Sequence, residues 1–377
     1  MAKRRARGEG LIHQRPDGRW EARVDLGWRD GKRQRKSLYG RTRQEVAAKL
    51  KAALRDREEG MLRAGPGQRL GPFLERWLES ARASLAPKTY VAYEMYIRRH
   101  IIPDLGRVVL DKLTPEQVQA LLDRKLAEGM APQSVQHIRG ILRRALGRAV
   151  RFGLVSRNVA ALTDPPRLVR REVRAMTPEE ARAFLDAIRG DRLEALYLTA
   201  LTTGLRQGEL LGLRWSDVDL EAGEVRVGQA LQRYGGELHF VLPKTAKSRR
   251  SVTLTPMAVE ALRAHRGRQA QDRLLAGSRW RESGLVFPSA VGTPLEPRNA
   301  TRAFKALLRR KELPEMRFHD MRHAFATLLL VQGASPRVVM EMLGHSQISL
   351  TMNTYSHVIP AMQREAAIKL DHLLRDA

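Results

Sequence analysis

From Leu70 to Ala161 the apolar residues of this chain recur at helical spacing almost without a break, and that run constrains the fold more than any other feature. Phe73, Leu74, Trp77 and Leu78 form one stripe, and Tyr90, Tyr93, Ile97 and Ile101 form another. Val118, Leu121 and Leu122 follow a helix start at Thr114-Pro115-Glu116-Gln117, while Ile138, Ile141, Leu142 and Leu146 mark a last helix. Residues three and four apart share one face of a helix, so these stripes face a core, and four or five helices fit the span. The remaining faces carry Arg98, Arg99, Arg139, Arg143, Arg144 and Arg148, a set suited to gripping phosphates without reading bases.

Residues 1–63 follow a period of two instead. Leu11 to Gln14, Trp20 to Leu26 and Arg33 to Tyr39 read as three short strands, parted by the turn signals Pro16-Asp17-Gly18 and Asp30-Gly31. A helix starts at Thr42, whose hydroxyl can cap it while Glu45 completes a capping box. This stretch holds 19 lysines and arginines against 9 aspartates and glutamates, the strongest charge bias in the chain. Gly65-Pro66-Gly67 is a linker, and Asp164 to Arg174, with Pro165-Pro166 and arginines in place of an apolar stripe, is a second. Thr177-Pro178-Glu179-Glu180 then opens a new helix with a cap, a first-turn proline and a capping glutamate. Beyond it Val225 and Val227, then Leu238, Phe240 and Leu242, then Val252 and Leu254 alternate as a small antiparallel sheet, with Lys244 at the turn between its last two strands. A chain of 377 residues outgrows a single core. The expected architecture is multidomain and mainly α. It comprises a three-stranded β-sheet with one helix over 1–63, a helical domain over 68–162, and a mixed α+β domain over 175–377.

The formal charge of +27 makes a polyanion the default partner. Nucleic acid is favoured over anionic membrane, because the chain shows no lipidation signal and no basic amphipathic helix flanked by aromatic anchors. The basic start Met1-Ala2-Lys3-Arg4-Arg5 leads into Gly8-Glu9-Gly10 and not into an apolar core, so it does not read as a secretory signal. The longest apolar run, Ala324 to Val331 with Thr327 inside it, is too short to span a bilayer. The absence of cysteine excludes disulfides, thiolate catalysis and cysteine-based zinc sites, and a cytoplasmic protein is expected.

The third segment carries the chemistry. His319-Asp320-Met321-Arg322-His323 is followed by His345, 23 residues after Arg322, and by Tyr355, 33 residues after it. Upstream, Thr203-Gly204-Leu205-Arg206-Gln207-Gly208-Glu209-Leu210 places a second arginine at the start of a helical segment. A phosphodiester under attack gains negative charge on its non-bridging oxygens, and planar guanidinium forks match those oxygens in pairs. Arg206 and Arg322 fit that part. A phenol with an ordinary pKa of about 10 is a weak nucleophile at neutral pH and needs a base or a positive charge beside it. Tyr355 is the candidate nucleophile, with His319 and His345 as bases or hydrogen-bonding groups. The oxygen leaving DNA needs a proton, and Lys244 is the best candidate donor, ahead of Lys247, while Arg249 and Arg250 suit a phosphate grip.

Each residue also has a plainer reading. Arg206 can pair with Glu209 three residues on, and His345 can cap the helix that ends at Gly344. Tyr355 can be a half-buried core tyrosine. His319 and His323 invite a metal reading, but a histidine pair without further ligands is a weak signal, so His323 is read as a packing residue and no metal is expected.

Taken together, Arg206, Lys244, His319, Arg322, His345 and Tyr355 resemble the catalytic set of the tyrosine recombinase (phage integrase) family, with no gap and no substitution. The front module resembles the arm-type DNA-binding domain of many integrases, whose sheet enters the major groove. The middle segment resembles their SAM-like core-binding domain, including Lys88-Thr89-Tyr90 and His100-Ile101-Ile102-Pro103-Asp104-Leu105-Gly106. The resemblance implies a site-specific recombinase in which Tyr355 attacks a scissile phosphate, forms a 3′-phosphotyrosyl link and releases a 5′-hydroxyl strand. By the same resemblance Arg206, Arg322 and His345 stabilise phosphoryl charge, His319 assists proton transfer and Lys244 protonates the leaving oxygen. Bond energy stays in the protein–DNA link, so no cofactor, metal or ATP is expected. The implied partners are double-stranded DNA at attachment sites, further copies in a homotetramer, and an accessory DNA-bending or excision-directing protein, with no membrane. After Pro360, Met362, Ala366, Leu370, Leu373 and Leu374 form a stripe that suits docking on a neighbouring copy or on its own domain. An integrase of a phage or other mobile element is favoured over a Xer-like chromosome- or plasmid-resolving recombinase, which usually lacks the basic front module. A type IB topoisomerase shares the chemistry without strand exchange, and a non-enzymatic DNA-binding regulator leaves the ordered set unexplained.

Overall fold

The computed structural model describes residues 11–29, 32–58, 68–168, 176–242 and 250–344, together with 371, 374 and 375. The chain divides into two compact units, Met1–Arg170 and Arg171–Ala377.

The first unit opens with the expected strands, β1 (Leu11–Gln14), β2 (Trp20–Arg29) and β3 (Lys32–Gly40), paired antiparallel in the order β1-β2-β3. β2 and β3 run longer than their apolar alternation predicts, and a register shift between Asp25 and Trp28 accommodates the extension. Asp30 and Gly31 lie outside the described residues. In α1 (Arg43–Glu58) the Thr42 hydroxyl accepts from the Glu45 backbone at 3.2 Å, as expected of the cap. The Glu45 carboxylate, however, accepts from the backbone of Arg41 at 2.9 Å, one residue beyond the box the sequence suggests. Ala22 and Val24 point from one face of β2 onto Val46, Leu50 and Ala53 of α1, giving a small core of its own.

The helical part runs through α2 (Leu70–Ala81), α3 (Pro87–Tyr96), a π turn at Ile97–Ile101, α4 (Ile102–Leu105), α5 (Pro115–Ala127) and α6 (Pro132–Arg151). The Thr114–Gln117 capping box forms with both hydrogen bonds present. The expected stripe residues enter one core, except that Tyr90 and Tyr93 stay half-buried. Each has a polar or ring partner at the edge: the Tyr90 hydroxyl donates to Glu79 at 3.1 Å, and Tyr93 stacks on Trp77 with centroids 6.1 Å apart.

Three of the six arginines on the basic faces have partners within the protein. Arg139 donates to the Thr163 carbonyl at 2.7 Å, Arg148 donates to the Ser80 hydroxyl at 3.0 Å, and Arg98 pairs with Glu94 at 3.0 Å. Arg139 and Arg148 tie α6 to the chain at Thr163 and to α2, while Arg98 pairs along its own helix and, like Arg99, Arg143 and Arg144, stays exposed.

In the second unit α7 (Pro178–Ile188) begins with the complete Thr177–Glu180 box. α8 (Glu194–Thr203) is buried along almost its whole length and leads into α9 (Gln207–Leu211). The strands are β4 (Val218–Asp219), β5 (Glu224–Arg226), β6 (Ala230–Tyr234), β7 (Glu237–Val241) and β8 (Ser251–Thr253). They form two sheets where the alternation suggests one: β4-β5-β8, and a separate β6-β7 hairpin. The hairpin closes locally on Gly235-Gly236, with φ of 60° and 89°, and its outward Phe240 is exposed, as is Leu242 beyond it, so neither joins the core. It lies against α9, where a Cβ on Gly208 would meet the Leu231 carbonyl at 2.7 Å.

Helices α10 (Pro256–Ala276), α11 (Pro297–Arg310), α12 (Asp320–Val331) and α13 (Pro336–Leu343) complete the unit. Its core is aromatic at the centre: Phe304 lies 6.0 Å from Phe184, 5.4 Å from Tyr197 and 5.5 Å from Phe318, ring to ring. Phe325, Ala326 and Leu330 of α12 pack on Val339 and Leu343 of α13. No described helix is long and apolar enough to cross a membrane. Of the C-terminal stripe, Leu374 is described and exposed, while Met362, Ala366, Leu370 and Leu373 lie outside the described residues.

Candidate active site

Arg206 stands at the N-terminus of α9, two residues after Gly204 closes α8 at a φ of 62°. A Cβ at Gly204 would meet the Phe325 ring at 2.3 Å, so the turn that delivers Arg206 requires glycine. The Arg206 backbone donates to Glu209 at 3.0 Å and its Nη1 donates to the same carboxylate at 2.8 Å, the pairing that the spacing anticipates. Its side chain nevertheless keeps 41% of its surface open. Burial would raise the Glu209 pKa, yet hydrogen bonding to Arg250 and the charges of Arg250 and Arg206 outweigh it and hold the carboxylate below its ordinary range.

Arg322, on α12, is 4% exposed. Its Nη1 donates to the Gly204 carbonyl at 2.7 Å and its Nη2 to the Leu343 carbonyl at 2.6 Å. Those carbonyls belong to the C-terminal ends of α8 and α13, where helix dipoles gather negative partial charge. One guanidinium thus ties three helices together and is itself held in place, which a buried cation requires.

His319 occupies the N-cap position of α12, without a capping bond from its ring, and keeps an exposed face. The protein packed beside its ring lowers its pKa first and the Arg322 charge second, with smaller pushes from Arg317 and Arg206 against the opposing Asp320. Arg206, His319 and Arg322 therefore share one electrostatic neighbourhood, with the imidazole neutral at physiological pH and able to accept a proton. His323 lies behind it, ring centroids 5.1 Å apart and nearly perpendicular, its pKa driven down to about 4 by burial and then by His319. Among the described residues no group of three or more His, Cys, Asp or Glu is placed to hold a metal ion.

Two supports escaped the reading of the sequence. Asp320 accepts from the Arg317 backbone at 2.8 Å and from its Nη2 at 2.8 Å, fixing the entry to α12; the signal was an i, i+3 pair ahead of a helix. Arg250, expected to grip phosphate, instead turns inward. It donates to Glu209 at 3.0 Å and to the Met342 carbonyl at 2.7 Å. Lys244, Lys247, Arg249, His345 and Tyr355 lie outside the described residues. What the described part offers is a braced buried guanidinium, an open guanidinium and a neutral imidazole, an arrangement fit to receive a doubly liganded anionic oxygen group.

The model of the phage integrase family matches residues 174–362, and that of the phage integrase N-terminal SAM-like domain matches residues 70–126. The chain is 34% identical to an integrase of Streptomyces ambofaciens, covering 100% of this chain and 99% of that one. It is 32% identical to a XerC-like tyrosine recombinase of Caldanaerobacter subterraneus subsp. tengcongensis, covering 91% of this chain and 93% of the relative. Among solved structures, the Tn1549 transposon integrase in complex with a circular intermediate DNA matches with a TM-score of 0.70 at 21% identity, over 80% of this chain and 99% of that one, a likeness of fold.

Proposed function

The chain belongs to the phage integrase family, and from that membership we propose that it breaks and rejoins double-stranded DNA at the attachment sites of a phage or other mobile element, with Tyr355 as nucleophile. The Tyr355 phenolate attacks the scissile phosphorus, the bond to the 5′ oxygen breaks, and the 3′ end stays on the protein as a phosphotyrosyl ester. Arg206, Arg322 and His345 hold the phosphoryl oxygens as charge builds, His319 accepts and orients a proton, and Lys244 gives the leaving oxygen its proton. A 5′-hydroxyl from the partner strand then reverses the step. The energy of the broken bond is conserved in the ester.

The observation that carries this reading is the Arg322 guanidinium, buried and fastened to two helix-end carbonyls beside the open Arg206 and the neutral His319. A guanidinium this deeply buried needs such fixed acceptors, and its charge and that of Arg206 are both felt at His319. Residues 1–63 serve as the arm-type DNA-binding domain, 68–162 as the core-binding domain and 175–377 as the catalytic domain, acting in the cytoplasm as a homotetramer on paired sites with an accessory bending or directing protein. The XerC-like relative favours a resolving recombinase as a second reading, and the arginine-lined sheet at the front favours integration.

The test is to incubate the protein, without metal or ATP, with labelled DNA from the flanks of its own gene and to look for SDS-resistant adducts. An adduct that Tyr355→Phe abolishes supports the reading. Tight binding with no adduct, even on nicked duplex, moves the protein to the class of DNA-binding regulators.

A further inference from the structure

We infer that Arg250 is a positioning residue for strand cleavage: it takes up the Glu209 carboxylate from the inside so that the Arg206 charge stays available to the phosphate, and it anchors the chain that leads into His345. This rests on the recombinase reading above.

Arg250 has 7% of its side chain exposed, and a buried guanidinium persists only where its donors are satisfied. Its Nη2 and Nη1 donate to Glu209 at 3.0 Å and 3.4 Å, and its Nε donates to the Met342 carbonyl at 2.7 Å. Glu209 in turn accepts from Arg206 at 2.8 Å. One carboxylate is therefore shared between two guanidiniums, one facing inward and one open to solvent. An isolated Arg206–Glu209 pair is neutral, and its carboxylate competes with phosphate for the same fork. With Arg250 in place the three groups keep one net positive charge, and the end that solvent reaches is Arg206.

The same side chain packs against Gly344, where a Cβ would stand 3.0 Å from Nη1 and 3.2 Å from Cζ. Gly344 is the residue before His345, and Arg250 directly follows the segment that contains Lys244. Arg250 thus touches Glu209, which holds Arg206, and packs on Gly344, the last described residue before His345. Without Arg250, Glu209 is left buried with Arg206 as its cation. It then closes on Arg206, which cancels the charge offered to phosphate, or takes a proton, which keeps the charge but weakens the acceptor that holds Arg206 in place.

The experiment uses the full chain and nicked duplex carrying its own crossover sequence, following single-turnover adduct formation between pH 5 and 9. Arg250→Met is expected to slow the adduct step by about 100-fold, the scale of losing one pre-placed donor to a developing charge, while duplex affinity stays within about threefold. Because Arg250 is the main influence lowering Glu209, its loss adds to the rate an acid limb that belongs to Glu209. Adding Glu209→Gln removes that limb. Arg250→Lys keeps the charge but not the span from Glu209 to Met342 and recovers part of the rate, and it carries the test if Arg250→Met does not fold. A rate for either variant within about threefold of wild type, or a loss with an unchanged pH profile, overturns the role. A wild-type protein that forms no Tyr355-dependent adduct overturns the recombinase reading itself, and this role with it.

Discussion

The N-terminal sheet and the second unit each hold a carboxylate among arginines, and the two arrangements do different things. Glu21 is 3% exposed, accepting from Arg23 and from the Ser37 hydroxyl at 2.8 Å each, with His13 at 3.4 Å and Arg15 at 3.9 Å. Its cover is thin, because the partners that hide it stand in water themselves: Arg23 keeps 47% of its side chain open. Glu209 has Arg250 behind it in the protein interior. On the sheet, solvent and salt screen the pairing, and the carboxylate mainly spaces positive groups that a polyanion can still reach. In the second unit Arg250 is itself buried, so solvent cannot readily replace it when it is lost, and the carboxylate sets geometry. The same residue types therefore leave exposed cations in one place and build a frame in the other, according to whether the cations are buried.

The contrast meets its largest test at Arg322. Lysine supplies one point charge where the guanidinium spans the Gly204 and Leu343 carbonyls, so Arg322→Lys is expected to slow adduct formation about 1,000-fold, measured in a single turnover. A loss under tenfold would place Arg322 with the sheet arginines. Next comes Glu209→Ala, which strands the buried Arg250 and is expected to destabilise the second unit by about 3 kcal/mol in calorimetric unfolding; a cost no larger than that of a surface pair would erase the distinction.

The third test uses pH. His323, with its folded pKa near 4 against an unfolded value near 6.5, and His319, shifted the same way, bind more protons unfolded than folded in that window. Stability is then full above the unfolded pKa and is lost as pH falls toward 4. The melting temperature of the second unit should drop across that range, and His323→Gln should flatten the drop; an unchanged slope would show that His323 is not the group responsible. The smallest effect is expected on the sheet: Glu21→Gln should shift the melting temperature by less than about 2 °C. It should also steepen the salt dependence of duplex binding by about 0.9 in log–log slope, as one more cation is released to phosphate.

What was legible in the sequence was what is decided locally. The Thr114 and Thr177 caps, the stripes from Phe73 to Leu146 and the Arg206–Glu209 pair all depend on residues within one or two turns. The two-sheet division was not legible, because β5 finds β8 across the whole β6-β7 hairpin and alternation says nothing about which strand is the partner. Arg250 sits beside a basic run and reads like a surface charge. Its burial is decided by Glu209 and Met342, both distant in sequence. Arg322 announced itself by motif, but its anchors on Gly204 and Leu343 did not. Lys244, His345 and Tyr355 rest on motif and order alone.

The π turn at Ile97–Ile101 has a consequence for how this chain tolerates change in length. There the Ile102 backbone donates to the Ile97 carbonyl, five residues back, so the winding carries one residue more than a regular helix needs. Deleting a single residue from an ordinary helix turns everything downstream by about 100° and carries its buried side out to solvent. Deleting Arg98 or Arg99 would instead let the turn relax to regular winding, with Tyr93 and Ile101 keeping their faces. The helix interior that looks least regular is the place where the chain can be shortened with least harm.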